Sequence, residues 1–226
     1  MIRAVGFDFD GTLIMSEPEK VKAMVSVFKE EFNISRGVKK AYMALVGNGI
    51  IRDQKVEKLF LQFIGRGPTK KERKKVSEHF GKHYMKNMDT CPLFQCLTLI
   101  KELKEQTDVL FLLSLENKKE VKKIAKHCNV AKYFDIILGG PTSKVDNFNY
   151  VLQKYNIRSS EVLYIGDAHS DVIAAKKKGM KVVLLGKKHM YEKLKEDLEA
   201  DFVFSSLCEV PHGLLGSTKK SKISGQ

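Results

Sequence analysis

Ala4-Val5-Gly6-Phe7-Asp8-Phe9-Asp10-Gly11-Thr12-Leu13 is an apolar run that breaks into two aspartates and a Gly-Thr turn. Its near-continuous hydrophobicity is that of a strand buried on both faces, and the carboxylates stand where the strand stops. Five further runs have the same character: Val109 to Leu113, Phe134 to Leu138, Val162 to Ile165, Val182 to Leu185 and Phe202 to Phe204. Between the later runs the period changes to that of a helix. Val121, Ile124, Ala125 and Cys128 form one apolar stripe, and Phe148, Val151, Leu152 and Tyr155 form another. Strand alternating with helix from about residue 92 to 205 implies right-handed crossovers, hence an α/β fold with a parallel sheet covered by helices.

Residues 15–89 interrupt that rhythm. They carry helix-period stripes (Val21, Met24, Val25, Phe28, Phe32; then Val56, Leu59, Phe60, Phe63, Ile64) and no convincing strand. Thr69 with Glu72, just after Pro68, spells a capping box for a third helix. The expected organisation is an α/β core from residues 1–14 and 90–215, an inserted all-helical domain over 15–89, and a flexible basic tail over 216–226.

Composition excludes several classes. The 226 residues are 43% hydrophobic and 30% charged, so a disordered or fibrous chain does not fit. No run approaches a membrane span, and Asp8 and Asp10 fall where a secretory leader would be apolar, so a cytoplasmic protein is expected. Cys91, Cys96, Cys128 and Cys208 lack metal or redox spacing and read as reduced thiols. Forty Lys plus Arg against 27 Asp plus Glu give a net charge of +13, which favours anionic partners. The insertion, with 17 basic and 9 acidic side chains, holds +8 of that surplus. A phosphorylated small molecule and nucleic acid both meet this condition, and the acidic clusters argue for the first.

Those clusters are two. Asp8 and Asp10 end the first run, at the carboxyl edge where open α/β sheets bind ligands. Two carboxylates this close repel unless a cation or a shared proton compensates them. Gly166-Asp167-Ala168-His169-Ser170-Asp171 ends another run at the same edge, and four converging carboxylates would make a hard-oxygen site suited to Mg²⁺. Asp171 has an alternative role as a helix cap. Ser114 follows the Val109 to Leu113 run, and Lys144 lies in the loop after Phe134 to Leu138. In the insertion, the Gly47-Asn48-Gly49 turn followed by Arg52 is a candidate substrate loop, since Arg can pair with a second anionic group.

In that order the chain resembles the haloacid dehalogenase superfamily over nearly its whole length. The family's DxDGT motif stands as Asp8 to Leu13, its strand ending in Ser or Thr as Leu110 to Ser114, its lysine as Lys144, and its GDxxxD as Asp167 and Asp171. The insertion looks like the helical cap of the phosphoglycolate phosphatase and phosphoglucomutase branch. The resemblance implies a Rossmann-like core and a Mg²⁺-dependent phosphatase acting on a small phosphorylated metabolite, with no membrane partner and a monomeric or dimeric state. It makes Asp8 the nucleophile and Asp10 the acid and base. Asp8, the Asp10 backbone carbonyl and Asp167 would hold the metal, with Asp171 orienting its water or Lys144. Gly11, Thr12, Ser114, Leu115 and Lys144 would surround the phosphoryl oxygens. Family dehalogenases lack a second aspartate, so Asp10 points to phosphoryl transfer. Two departures stand out: Leu115 in Ser114-Leu115-Glu116-Asn117, where many relatives have a small or amide residue after the hydroxyl, and Val145 where relatives commonly have Pro after the lysine. The rival readings are a sugar phosphomutase of the β-phosphoglucomutase type and a non-catalytic basic binding protein on the same fold.

Overall fold

The computed structural model describes residues 1–46, 49–87, 97–186, 200–211 and 214. The expected tail over 216–226, the Gly47-Asn48 part of the turn and the boundary near residue 90 lie outside them. Strands β1 (Ala4–Asp8), β2 (Val109–Asn117), β3 (Ile136–Gly140), β4 (Val162–Gly166), β5 (Lys181–Leu185) and β6 (Phe202–Phe204) form one sheet in the order β3-β2-β1-β4-β5-β6. Every neighbouring pair is parallel. The order reverses beside β1, which pairs Ala4 with Val109 on one side and Val162 on the other. Each expected run therefore contributes a strand, giving the Rossmann-like architecture.

Strand periodicity divides the core into two faces. Val5, Phe7, Leu110, Leu112, Leu163 and Ile165 pack into one cluster, while Ala4, Val109, Phe111, Leu113, Val162 and Tyr164 pack into the other. Gly6 sits opposite the Phe111 ring, where a Cβ would come within 2.1 Å of it, so this central strand needs a residue with no side chain. Helices α5 (Leu97–Gln106), α6 (Lys118–His127), α7 (Lys144–Tyr155) and α8 (His169–Lys177) cover the sheet. The α6 stripe of Val121, Ile124 and Ala125 belongs to the first face, and Phe148 and Val151 of α7 to the second.

The insertion is helical: α1 (Glu17–Phe32), α2 (Val38–Met43), α3 (Arg52–Ile64) and α4 (Lys70–Asn87). An aromatic cluster joins α1 to α3, with Phe32 and Phe60 ring centroids 4.9 Å apart and Phe28 and Phe60 5.7 Å apart. The capping box at α4 forms as read. The Thr69 N–H donates to the Glu72 carboxylate at 2.7 Å, and the Glu72 N–H donates to Thr69 Oγ1 at 3.3 Å. Among the described residues, no helix is long and apolar enough to cross a membrane.

Two expectations need correction. The second run continues past Ser114 as strand to Asn117, with an irregularity between Leu113 and Asn117, so Glu116 lies on the sheet edge. Cys128 is a free buried thiol, but Cys208 is disulfide-bonded; sequence spacing says nothing about which cysteines the fold brings together.

Candidate active site

Parallel strands expose their carboxyl ends along one edge, and the switch in strand order at β1 opens a crevice there. Asp8, the last residue of β1, is buried and accepts a hydrogen bond from Lys144 Nζ at 2.6 Å. Lys144 is the first residue of α7, whose N-cap Ser143 receives the Asp146 N–H, so the helix start aims the ammonium back at β1. The same Nζ pairs with Asp171, which is fully buried. The other oxygen of Asp171 accepts the Ala168 N–H at 3.0 Å. Asp171 is therefore both a cap for the first turn of α8 and the anchor of Lys144.

Asp167 completes the group. One oxygen from each of Asp8, Asp167 and Asp171 lies within 4.8 Å of the others. Thr12 Oγ1 donates to Asp167 at 3.4 Å. Gly11 adopts φ +86°, and a Cβ there would come within 2.0 Å of Asp167 Oδ2, so the turn admits only glycine without moving the carboxylate.

Electrostatics in this corner are unbalanced. Burial pushes the Asp8 carboxyl well above its ordinary value; Lys144 opposes this, while Asp171, Asp167 and Asp10 add to it. Burial and Asp171 push Asp167 up to about 7. Burial disfavours the Lys144 ammonium, but Asp171 and Asp8 outweigh it and hold that charge firmly. Three carboxylates thus share one lysine, and the donors are hard oxygens of the kind a divalent cation such as Mg²⁺ takes. The residues present fit such an ion.

Asp10 is oriented differently from the other carboxylates. Ser114 Oγ donates to its Oδ2 at 2.9 Å. Its Oδ1 faces the helical domain, receiving Ser16 Oγ, Tyr84 Oη at 3.2 Å and Lys20 Nζ at 2.9 Å. The side chain therefore stands apart from the Asp8, Asp167 and Asp171 trio.

Glu116 joins the two domains. Its carboxylate takes Lys20 Nζ at 3.2 Å and Arg52 Nη2, and Arg52 also pairs with Glu120 at the start of α6. Although burial opposes ionisation, Arg52 and Lys20 hold the Glu116 carboxyl well below the usual carboxylate range. Both are held charged by their carboxylate partners against burial. Arg52 also stacks over Phe80, 4.0 Å from the ring centroid. The expectation that Arg52 pairs with a substrate anion meets a guanidinium already committed to two glutamates, with only Nε lacking a partner among the described residues.

One cavity of about 90 Å³ gathers these groups. The core lines it with Asp8, Asp10, Ser114, Leu115, Lys144 and Asp167, and the helical domain with Glu17, Lys20, Arg52 and Lys55. Gly11 and Thr12 shape its floor through Asp167. The sequence reading missed Ser16, Lys20, Lys55, Tyr84 and Glu116. Glu116 directly follows the departure noted at Leu115, and the others carried no signal.

A doubly wound core with carboxylates and a lysine at its switch point, roofed by an inserted helical domain, defines a class of hydrolytic enzymes. A family model described as haloacid dehalogenase-like hydrolase matches residues 5–185, and the chain belongs to that family. A phosphoglycolate phosphatase of Haemophilus influenzae (strain 86-028NP) is 27% identical over 219 residues, covering 92% of this chain and 96% of its own. One from Aquifex aeolicus is 29% identical over 194 residues, 81% of this chain and 84% of its own. Among solved structures, the fold matches β-phosphoglucomutase from Clostridium difficile with a TM-score of 0.77 at 21% identity, covering 95% of this chain and 96% of that one. CbbY from Rhodobacter sphaeroides, solved with phosphate, gives 0.73 at 17% identity over 92% and 96%. Family and relatives together put the chain among phosphoric monoester hydrolases.

Proposed function

We propose that the protein hydrolyses a small phosphomonoester in a Mg²⁺-dependent reaction through an aspartyl-phosphate on Asp8. The observation that carries this reading is the convergence of Asp8, Asp167 and Asp171 around Lys144 beside a separately held Asp10. Asp8, the Asp10 backbone carbonyl and Asp167 would hold Mg²⁺, which when bound neutralises phosphate charge so that an anionic nucleophile can approach. Asp171 has both oxygens engaged, by Lys144 and the Ala168 N–H, and serves the site by fixing the lysine.

In the first half-reaction a carboxylate oxygen of Asp8 attacks phosphorus, the ester P–O bond breaks, and Asp10 gives its proton to the leaving oxygen. In the second, Asp10 takes a proton from water as that water attacks phosphorus and the bond to Asp8 breaks. Lys144 stabilises charge on the phosphoryl oxygens and opposes the upward push that burial exerts on the Asp8 carboxyl. Ser114 and Tyr84 hold Asp10 in place for both proton transfers. The helical domain closes this chemistry off from bulk water.

Substrate size follows from the roof. A 90 Å³ cavity accommodates a phosphoryl group and a few more atoms, which supports a leaving portion of the phosphoglycolate kind over a hexose. The same reading places the enzyme in the cytoplasm, where such metabolites are found. A panel of phosphorylated metabolites with and without Mg²⁺, run beside Asp8→Asn, is the test. Phosphate release that requires both Mg²⁺ and Asp8 is expected; release by Asp8→Asn at the wild-type rate removes the covalent route.

A further inference from the structure

Among the described residues, one cation in the roof of the cavity has no carboxylate in close contact. Lys55, on α3, is 8% exposed and lines the cavity that holds Asp8 and Asp10. The other two roof cations are satisfied: Lys20 by Asp10, Glu17 and Glu116, and Arg52 by Glu116 and Glu120. Among the described residues, no carboxylate lies within ion-pair distance of Lys55 Nζ. Its one recorded contact of this kind is the Tyr42 ring, 5.4 Å away at the centroid. The hydroxyl of Tyr42, itself fully buried, likewise has no hydrogen-bond partner among the described residues. Burial pulls the ammonium below its ordinary value and Lys20 adds to this, while Glu116, Glu17 and Asp10 at longer range offset it only in part.

An ammonium removed from water without a counterion is costly, and a buried charge is normally paired. Among the described residues, three roof cations line the cavity and two of them have close carboxylates. An anionic group entering the cavity would supply that partner and hold the ammonium charged. In the phosphatase reading the phosphoryl group is taken up beside Asp8 by Lys144, which leaves Lys55 for a second group.

We infer that Lys55 is the specificity-determining residue of the site, receiving a second anionic group, a carboxylate, carried on the leaving portion of the phosphomonoester. Arg52 supports that role indirectly by occupying Glu116 and Glu120. The inference rests on the phosphatase reading above and names the chemical class of its substrate.

The test compares 2-phosphoglycolate with ethyl phosphate, which has a similar backbone and no carboxylate, in the wild type, Lys55→Met and Lys55→Arg. A charge-assisted contact of this kind is worth roughly tenfold to a hundredfold in binding. The ratio of kcat/KM for the two esters should fall by about that factor in Lys55→Met and recover in part in Lys55→Arg. Lys55→Met should also keep or raise Tm, because it replaces an unpaired buried charge with an apolar chain of similar length. A ratio within about twofold of the wild type in Lys55→Met overturns the inference. If the wild-type enzyme hydrolyses neither ester, the phosphatase reading fails, and calorimetric binding then decides about Lys55. Tighter wild-type binding of 2-phosphoglycolate than of ethyl phosphate, lost in Lys55→Met, supports the inference, and equal binding overturns it.

Discussion

Replacing Glu116 with Gln removes the charge that links the helical domain to the core while keeping the side chain's shape. Removing one member of a buried ion pair costs about 3–5 kcal/mol when the partner is left alone. Here neither partner is left alone: Arg52 retains Glu120, and Lys20 retains Asp10 at 2.9 Å and Glu17 at 3.4 Å. The Gln carbonyl still accepts one hydrogen bond, so a loss of about 2–3 kcal/mol is expected. For a chain of this length that lowers Tm by roughly 4–12 °C at neutral pH. The folded protein holds the Glu116 carboxyl below its ordinary value of 4.5, so its stabilisation is complete above that pH and is lost as pH falls toward the folded value. The Tm gap between wild type and Glu116→Gln, measured by differential scanning calorimetry, should therefore narrow from about pH 7 to about pH 3. A loss under about 0.5 kcal/mol at neutral pH, or a gap that stays constant into acid, would refute the view that Glu116 clamps the domains through charge.

Two further outcomes follow from the acidic corner. Gly11→Ala would force a Cβ to within 2.0 Å of Asp167 Oδ2 at a backbone φ of +86°, so turnover should fall at least about a hundredfold with Mg²⁺ saturating, and near-normal kcat would contradict that reading. With Asp167 pushed up to about 7 from 3.8, the metal-free protein should lose this group's stabilisation as pH rises between those values. Mg²⁺ needs the ionised carboxylate and should release protons on binding, so its effect on Tm should be larger at about pH 8 in the thermal trace than at about pH 5; an equal gain at both would exclude Asp167 as a ligand.

The strands were readable because both faces of the sheet are covered, which makes each strand a nearly uninterrupted apolar word. Helix stripes such as Val121, Ile124 and Ala125 were readable for the complementary reason, since each helix has one wet side. Asp8, Asp167 and Lys144 could be found because strand ends are points the sequence marks. Lys20, Lys55 and Tyr84 could not. They sit on helices rich in similar residues, and they matter only because the chain returns them to β2 and Asp10 from far away in sequence. Glu116 shows the same limit: it lies next to the departure noted at Leu115, but the cations that explain it come from α1 and α3. Cys208 was misread for the same reason, as its pairing depends on tertiary proximity.

The central position of β1 has a consequence for how the molecule is made. Of the six described strands, the first to be synthesised is the one flanked by partners from later in the chain, Val109 to Leu113 on one side and Val162 to Ile165 on the other. During synthesis its apolar residues wait unpaired while helices α1 to α4, whose contacts are local, can already form. Assembly of the sheet around this waiting strand brings Asp8 to Lys144 and Asp167, so the proposed nucleophile meets its partners only after most of the described core has been translated.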